Sequence, residues 1–261
     1  MSDFQHLRID RDEELAIVTI DRPEKLNALN AAVVAELGEA FADLATDDTV
    51  RGVILTGAGE RSFVAGADIG ELVEMNPLTA VQVSRTGQQV LEYIEQMPKP
   101  VVAAVGGFAL GGGCELALAC HLRMASTNAR FGLPEVGLGI IPGYGGTVRL
   151  SRVIGLGRAV EMTLTGAPID AERALAYGLV TRVVERADLL SEATKWLREI
   201  TAKGPVAVRL ALESVYHATD VASAEALRHE ASLFGVAAGT EDMREGMGAF
   251  LEKRSPDFKG R

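Results

Sequence analysis

The sequence is poor in the residues that build covalent or metal-held scaffolds. Across 261 residues it has two cysteines, Cys114 and Cys120, and four histidines, His6, His121, His217 and His229. Two thiols in and beside one apolar segment give neither a disulfide framework nor the ligand spacing of a zinc site. As free buried thiols they act as small hydrophobes. Basic residues are also in deficit, with Lys+Arg 26 against Asp+Glu 36 and a formal net charge of −10. This argues against a nucleic-acid surface, which needs a basic footprint, but not against a small phosphate-bearing molecule, for which a few local cations suffice. No G-x-S-x-G, no G-x-G-x-x-G after a strand and no G-x-x-x-x-G-K-[ST] occurs, so the serine-hydrolase, dinucleotide and P-loop signatures are missing. The longest nearly uncharged run, Val101–Cys120, contains five glycines and Glu115 and follows Pro100, so it reads as strand, turn and helix rather than a membrane span. The N-terminal MSDFQHLRID is polar and charged, unlike a secretory signal or transit peptide. The expectation is a cytoplasmic protein with neither a membrane nor a nucleic-acid partner.

What the chain does have is residues 101–135, VVAAVGGFALGGGCELALACHLRMASTNARFGLPE. Residues 101–114 carry no charge and Leu116–Cys120 are apolar or small, so Glu115 is one carboxylate in an apolar surround. An ionised carboxylate buried without partners costs several kcal/mol or takes up a proton. Two readings fit. In one, Gly111-Gly112-Gly113 turns a loop into a helix whose first N–H groups lack intrahelical acceptors. Glu115 then follows Gly112 by about one turn, on the same face. A single segment would supply an N–H donor for developing negative charge and a carboxylate for proton transfer. In the other, the glycines serve close packing and Glu115 is held in a structural hydrogen bond.

The length exceeds the usual domain of about 150 residues, which permits one large domain or a domain with an appendage. Alternating apolar residues predict strands over 4–10 and 14–21, and Asn30 caps a helix reaching about Ala45. A core strand is predicted over 50–56. In the following RSFVAGAD, Gly66 leaves room for a ligand against the backbone and frees the N–H of Ala67, while Asp68 reads as a helix N-cap. A helix over 78–97 stops at Pro98 and Pro100, and Val101–Val105 reads as a strand covered on both faces. Beyond the central helix come a short strand over 122–125, a turn over 131–135 and a helix opened by 143–147. A helix over 158–176 and a strand over 179–185 follow. Residues 189–253 read as successive helices broken at Gly204-Pro205, Thr219-Asp220 and Gly239. The class is α/β with an all-helical tail.

Five segments in order make the chain resemble the enoyl-CoA hydratase (crotonase) family over essentially its whole length. They are RPEKLNALN (Arg22–Asn30), SFVAGAD (Ser62–Asp68), KPVVAAVGGFALGGGCELALAC (Lys99–Cys120), FGLPEVGLGIIPGYGGTVRL (Phe131–Leu150) and FLEKRSPDFKGR (Phe250–Arg261). The resemblance implies an α/β, crotonase-like spiral of repeated ββα units over 1–195 and a C-terminal helical trimerisation region over 196–261. It implies reversible addition of water to trans-2-enoyl-CoA giving 3-hydroxyacyl-CoA, in fatty-acid metabolism. Double-bond isomerisation and other coenzyme A thioester chemistries are the family's alternatives. The family's oxyanion hole falls on the N–H groups of Ala67 and Gly112, and its two glutamates fall on Glu115 and Glu135. Lys25 and Ala28 match positions lining the coenzyme A channel, and Ala65, Gly66 and Asp68 flank the donor Ala67. Lys259, in the ending FKGR, could reach a coenzyme A phosphate within a trimer, although a terminal lysine is more often solvated. The substrate is an acyl-CoA thioester, coenzyme A being part of it. No metal or other cofactor is implied, and the assembly is a homotrimer or a hexamer of two trimers.

Glu135 comes from the resemblance alone; from the residues it is an ordinary loop glutamate, and Lys25 reads equally as a solvated lysine. Two departures stand out. His121 replaces an Asp common after the central helix and reads as structural, and Leu133 replaces a Gln common before Pro-Glu and bears on the pocket beside Glu135.

Overall fold

The computed structural model describes residues 4–261; residues 1–3, the head of the stretch read above as no signal, lie outside the described residues. From the N-terminus, β1 (Leu7–Asp12) and β2 (Leu15–Ile20) form an antiparallel pair, followed by α1 (Ala31–Thr46). Three passes then each lay down a strand in a large sheet, a strand in a small sheet and at least one helix. The first is β3 (Gly52–Gly57), β4 (Ser62–Val64), α2 (Ile69–Leu72) and α3 (Pro77–Glu95). The second is β5 (Val101–Val105), β6 (Phe108–Leu110) and α4 (Gly112–Ala119). The third is β7 (Leu122–Ser126), β8 (Arg130–Gly132), a 3₁₀ turn at Pro134–Leu138, α5 (Gly146–Ile154) and α6 (Leu156–Thr165). β9 (Ile169–Asp170), α7 (Ala171–Tyr177) and β10 (Arg182–Val184) complete the sheets, whose orders are β1-β2-β3-β5-β7-β10 and β4-β6-β8-β9.

Each pass repeats because its strands pair in parallel with those of the pass before: β3 with β5, β5 with β7, β4 with β6 and β6 with β8. Parallel pairing needs a crossover, and the helices provide it. Val101–Val105 is buried at every position, as a strand covered on both faces must be. α1 starts where the Asn30 side chain accepts from the Val33 N–H, and it buries Val33, Leu37, Phe41 and Leu44. α3 starts at an Asn76–Thr79 capping box with Pro77 in the first turn.

Residues up to Met97 together with Val101–Thr194 form one compact unit, and Pro98–Pro100 with Lys195–Arg261 form a second. α8 (Leu189–Thr201) runs across the division, and the second unit carries α9 (Pro205–Asp220), α10 (Ser223–Ala238) and α11 (Glu241–Glu252). There the C-terminal tail is tied to the start of α11. Buried Asp242 accepts from the N–H groups of Lys259 at 2.6 Å and Gly260 at 2.8 Å, and the Arg261 carbonyl accepts from those of Glu241 and Asp242.

Three predicted elements differ. The helix expected over 158–176 is two helices separated by β9, because Gly166 is left-handed and Pro168 cannot donate to a helix ladder. The strand expected over 179–185 is only Arg182–Val184, since the N–H groups of Leu179 and Val180 bond back to Ala174 in α7. The turn expected over 131–135 begins as strand, because Phe108–Leu110 offers a parallel edge to Arg130–Gly132.

At the end of α4 the buried polar groups are paired. Arg123 donates to the carbonyls of Cys120 at 2.6 Å and Leu179 at 2.7 Å. His121 accepts the Val101 N–H on Nδ1 at 2.9 Å, and its Nε2–H donates to the Glu95 carbonyl at 3.1 Å. The ring is therefore neutral, and burial pushes its pKa down to about 4. The stability it contributes is complete above the unfolded pKa of about 6.5 and falls as acid protonates the unfolded chain, by about 1.4 kcal/mol per pH unit, until the folded pKa of about 4 is reached. Urea unfolding at about pH 7 and about pH 5 is expected to show a larger loss for the wild type than for His121→Gln. Equal losses contradict the reading.

Candidate active site

β4, β6 and β8 are parallel neighbours, so the segments that leave their C-terminal ends emerge on one edge of the small sheet. Those segments are Ala65–Asp68, Gly111–Gly112 and Leu133–Glu135. The C-terminal edge of parallel strands is where open α/β sheets bind ligands.

α4 is buried along its whole length, and Glu115, in its first turn, is 2% exposed. Its Oε1 accepts two backbone N–H bonds, from Tyr144 at 2.7 Å and Gly146 at 2.8 Å, leaving Oε2 without a partner among the described residues. Only glycine fits at several nearby points. A Cβ on Gly113 would meet the Val64 carbonyl oxygen at 2.0 Å, and one on Gly146 would lie 2.9 Å from Glu115 Cγ. Burial, opposed by the two N–H bonds and by Arg149 and reinforced by Glu135, brings the Glu115 pKa up to about 7.

Glu135 lies in the first turn of the Pro134–Leu138 helix and is 8% exposed. Its Oε2 is buried with no hydrogen-bond partner among the described residues, and burial raises its pKa. A Cβ on Gly111, which has φ +50°, would stand 3.0 Å from Glu135 Oε1, so this carboxyl faces the start of α4. Leu133 is fully buried and reaches within 3.1 Å of where a Gly146 Cβ would be, giving the carboxyl pair an apolar wall where a Gln would bring a donor.

Ala67 is bracketed by two bonds to Leu29: the Leu29 N–H donates to Gly66, and the Asp68 N–H donates to Leu29. The N–H of Ala67 itself finds no acceptor among the described residues, nor does that of Gly112 at the head of α4. The two donors are neighbours, since a Cβ on Gly112 would lie 3.7 Å from the Ala67 nitrogen. Gly66, with φ +117°, makes the turn that presents Ala67.

Asp68 caps α2 through the Gly70 N–H, as expected. It also pairs with Arg22 at 3.4 Å, and Arg22 in turn donates to the Ala28 carbonyl at 2.6 Å. Ala28 and Ala65 are thereby held beside the Ala67 turn, where Ala65 donates to Leu26. Lys25 is exposed, and Lys259 belongs to the second unit, its Nζ paired with Asp257 at 2.6 Å. The structure thus brings Ala67, Gly112, Glu115 and Glu135 together. Sequence reasoning missed the Tyr144 and Gly146 donors. The available signal was Gly145-Gly146 at a helix start, where free N–H groups await an anion.

Known proteins decide the relationship. The family model for enoyl-CoA hydratase/isomerase matches residues 10–261. The chain belongs to that family. It is 45% identical to the short-chain-enoyl-CoA hydratase of Clostridium acetobutylicum, over 99% of this chain and 100% of that one. It is 44% identical to the crotonyl-CoA hydratase of Syntrophomonas wolfei, over 98% of each chain. Among solved structures, an enoyl-CoA hydratase from Bacillus anthracis superposes with a TM-score of 0.95 at 40% identity, covering 98% of this chain and 100% of that one. The crotonase fold expected from the sequence is present.

In this family member no helix among the described residues is long and apolar enough to cross a membrane. No three His, Cys, Asp or Glu side chains among them cluster as metal ligands. Cys114, next to Glu115, and Cys120 are free and fully buried, and burial pushes both thiols up to about 12. Neither is expected to react with a thiol reagent in the native protein at neutral pH, and both are expected to react in denaturant. Rapid native labelling of either, read by mass spectrometry, contradicts this packing.

Proposed function

We propose that this chain is an enoyl-CoA hydratase that reversibly adds water across the conjugated double bond of short- to medium-chain trans-2-enoyl-CoA. The observation that carries the reading is the asymmetry of its two buried carboxyls, Glu115 with two N–H donors on one oxygen and Glu135 with an unpartnered one. Donors favour the ionised form and burial alone favours the neutral one. Glu115, held by these donors close to its titration point, is placed to take a proton from water as its oxygen attacks the β-carbon. Glu135 is the acid that delivers a proton to the α-carbon, and two carboxyls with different surroundings divide the work. Charge moves onto the thioester oxygen as the water attacks. The paired N–H groups of Ala67 and Gly112 would receive it as a preorganised oxyanion hole.

The product is a 3-hydroxyacyl-CoA, and no oxidation state changes overall. The reaction therefore calls for neither a redox cofactor nor a metal; coenzyme A arrives as part of the substrate. The relatives' names, short-chain-enoyl-CoA hydratase and crotonyl-CoA hydratase, support the same activity. Ala28, Ala65, Gly66 and Asp68 would shape the thioester channel, with Lys25 at its exposed rim. A cytoplasmic place in fatty-acid metabolism fits this chemistry.

We read the assembly as a trimer or hexamer. In α9, Val206, Val208 and Leu212 are half-buried and Leu210 is buried within the chain. Further apolar side chains of the second unit are exposed. Phe234 is 74% exposed, and Leu227, Val236, Phe250 and Leu251 are also exposed. Apolar surface of this kind marks an interaction site.

Glu115→Gln and Glu135→Gln keep shape but remove proton transfer, so each is expected to lower crotonyl-CoA hydration by about 10²–10⁴-fold with thioester binding largely retained. The assay is the loss of ultraviolet absorbance of the conjugated thioester. Near-normal turnover in Glu115→Gln leaves Glu115 a structural carboxylate, and movement of the double bond in a 3-enoyl-CoA with no hydration turns the reading to an isomerase. In sedimentation at micromolar concentration the chain is expected to run as a trimer or larger; a stable monomer contradicts this assembly.

A further inference from the structure

The two N–H groups that hold Glu115 belong to the 143–146 segment, which is itself held by α3 and α5. From α3, Ser84 Oγ donates to the Gly143 carbonyl at 2.6 Å and Gln88 Nε2 donates to it at 2.9 Å. The Tyr144 ring lies on Gly87, where a Cβ would meet it at 2.3 Å. From α5, Arg149 Nη1 donates to the Tyr144 carbonyl at 2.9 Å, while its Nε and Nη2 both bond Glu95 Oε2, at 2.9 and 2.8 Å. The pair is sheltered, with side-chain exposures of 11% for Arg149 and 21% for Glu95. Glu95 also bonds His121 through its carbonyl, so one residue at the end of α3 fixes both the segment after α4 and the loop that holds Glu115.

We propose that Arg149, clamped by Glu95, is a positioning residue for the hydration: it fixes the Tyr144 and Gly146 N–H groups on one oxygen of Glu115 and leaves the other oxygen for water. The inference rests on the hydratase reading. Arg149 acts in two ways. Its fork to the Tyr144 carbonyl and to Glu95 sets the plane of the neighbouring peptide, and its charge favours the carboxylate. The groups facing Glu115 are Glu135 from the 3₁₀ turn, Cys114 from α4, the Tyr144 hydroxyl from the loop and Arg149 from α5; Glu95 from α3 acts through Arg149, and Glu71 from α2 through Tyr144. Of these Arg149 alone is a cation, so its loss is uncompensated. Without the fork the loop N–H bonds loosen, and both losses disfavour the ionised base.

Arg149→Met and Arg149→Lys test this against the wild type in two measurements. The first is the pH profile of kcat and kcat/KM for crotonyl-CoA hydration. The second, independent of turnover, is the titration of Glu115 followed by carbon NMR on protein labelled at the glutamate carboxyl, assigned by its loss in Glu115→Gln. Arg149→Met is expected to lower kcat at least about tenfold near pH 7 and to move the acid limb and the Glu115 titration up by about one pH unit. KM should stay within about twofold, and Arg149→Lys, which keeps the charge, should recover most of the upward shift. Should Arg149→Met not fold, Arg149→Gln carries the same expected shift. An unmoved acid limb and titration in a folded variant, whatever its loss of thermal stability, overturn the proposal. If the wild type leaves crotonyl-CoA unchanged, the hydratase reading falls and the titration alone decides whether Arg149 positions Glu115.

Discussion

One buried carboxylate organises the molecule. Glu115 stands in an apolar helix start, where an ion without partners is untenable. Two N–H bonds from a loop far along the chain make it tenable. Hydrogen bonds to charged groups are worth about 1.5–3 kcal/mol each, enough to offset part of the desolvation while leaving the group close to its titration point. The neighbours that a side chain would crowd are glycines: Gly146 against Glu115 itself, Gly111 against Glu135 and Gly113 against Val64. Small residues here are a condition for bringing two carboxyls and two N–H donors to one place.

The fold meets the geometric half of that condition. Because β4, β6 and β8 run parallel, three segments distant in sequence leave the small sheet on one edge. The segment after β4 presents Ala67, that after β6 presents Gly112 and Glu115, and that after β8 presents Glu135. The chemical half lies in what surrounds each carboxyl. Glu115 has donors from a distant loop and a nearby guanidinium, whereas Glu135 has burial opposed by its own backbone N–H. Acid and base are therefore distinguished by environment rather than by residue type.

Some of this was legible in the sequence. A lone charge in residues 101–120 announced Glu115, and the glycines before Ala67 and within 111–113 announced the donors. The long parallel strand Val101–Val105 and the Asn30 cap were equally plain. Glu135 was not, because a glutamate after a proline in a short turn has no local mark of burial, and only the family resemblance singled it out. The three-residue strands of the small sheet were hidden for a different reason, since they are too short to show alternation. The Glu95–Arg149 clamp escaped because its partners are 54 residues apart and each looks like a surface charge on an amphipathic helix. Local patterns report burial and caps, but pairings across passes of the spiral need the fold.

The central claim is that the two carboxyls add the elements of water across a conjugated thioester. Its most direct measurement is the product formed from crotonyl-CoA in water labelled with heavy oxygen, read by mass spectrometry and NMR. The account predicts a 3-hydroxyacyl thioester carrying one heavy oxygen at the β-carbon, formed by the wild type and suppressed in Glu115→Gln. Recovery of the thioester unlabelled, unchanged or with its double bond merely moved, or of a free acid carrying the heavy oxygen in its carboxylate, would contradict it.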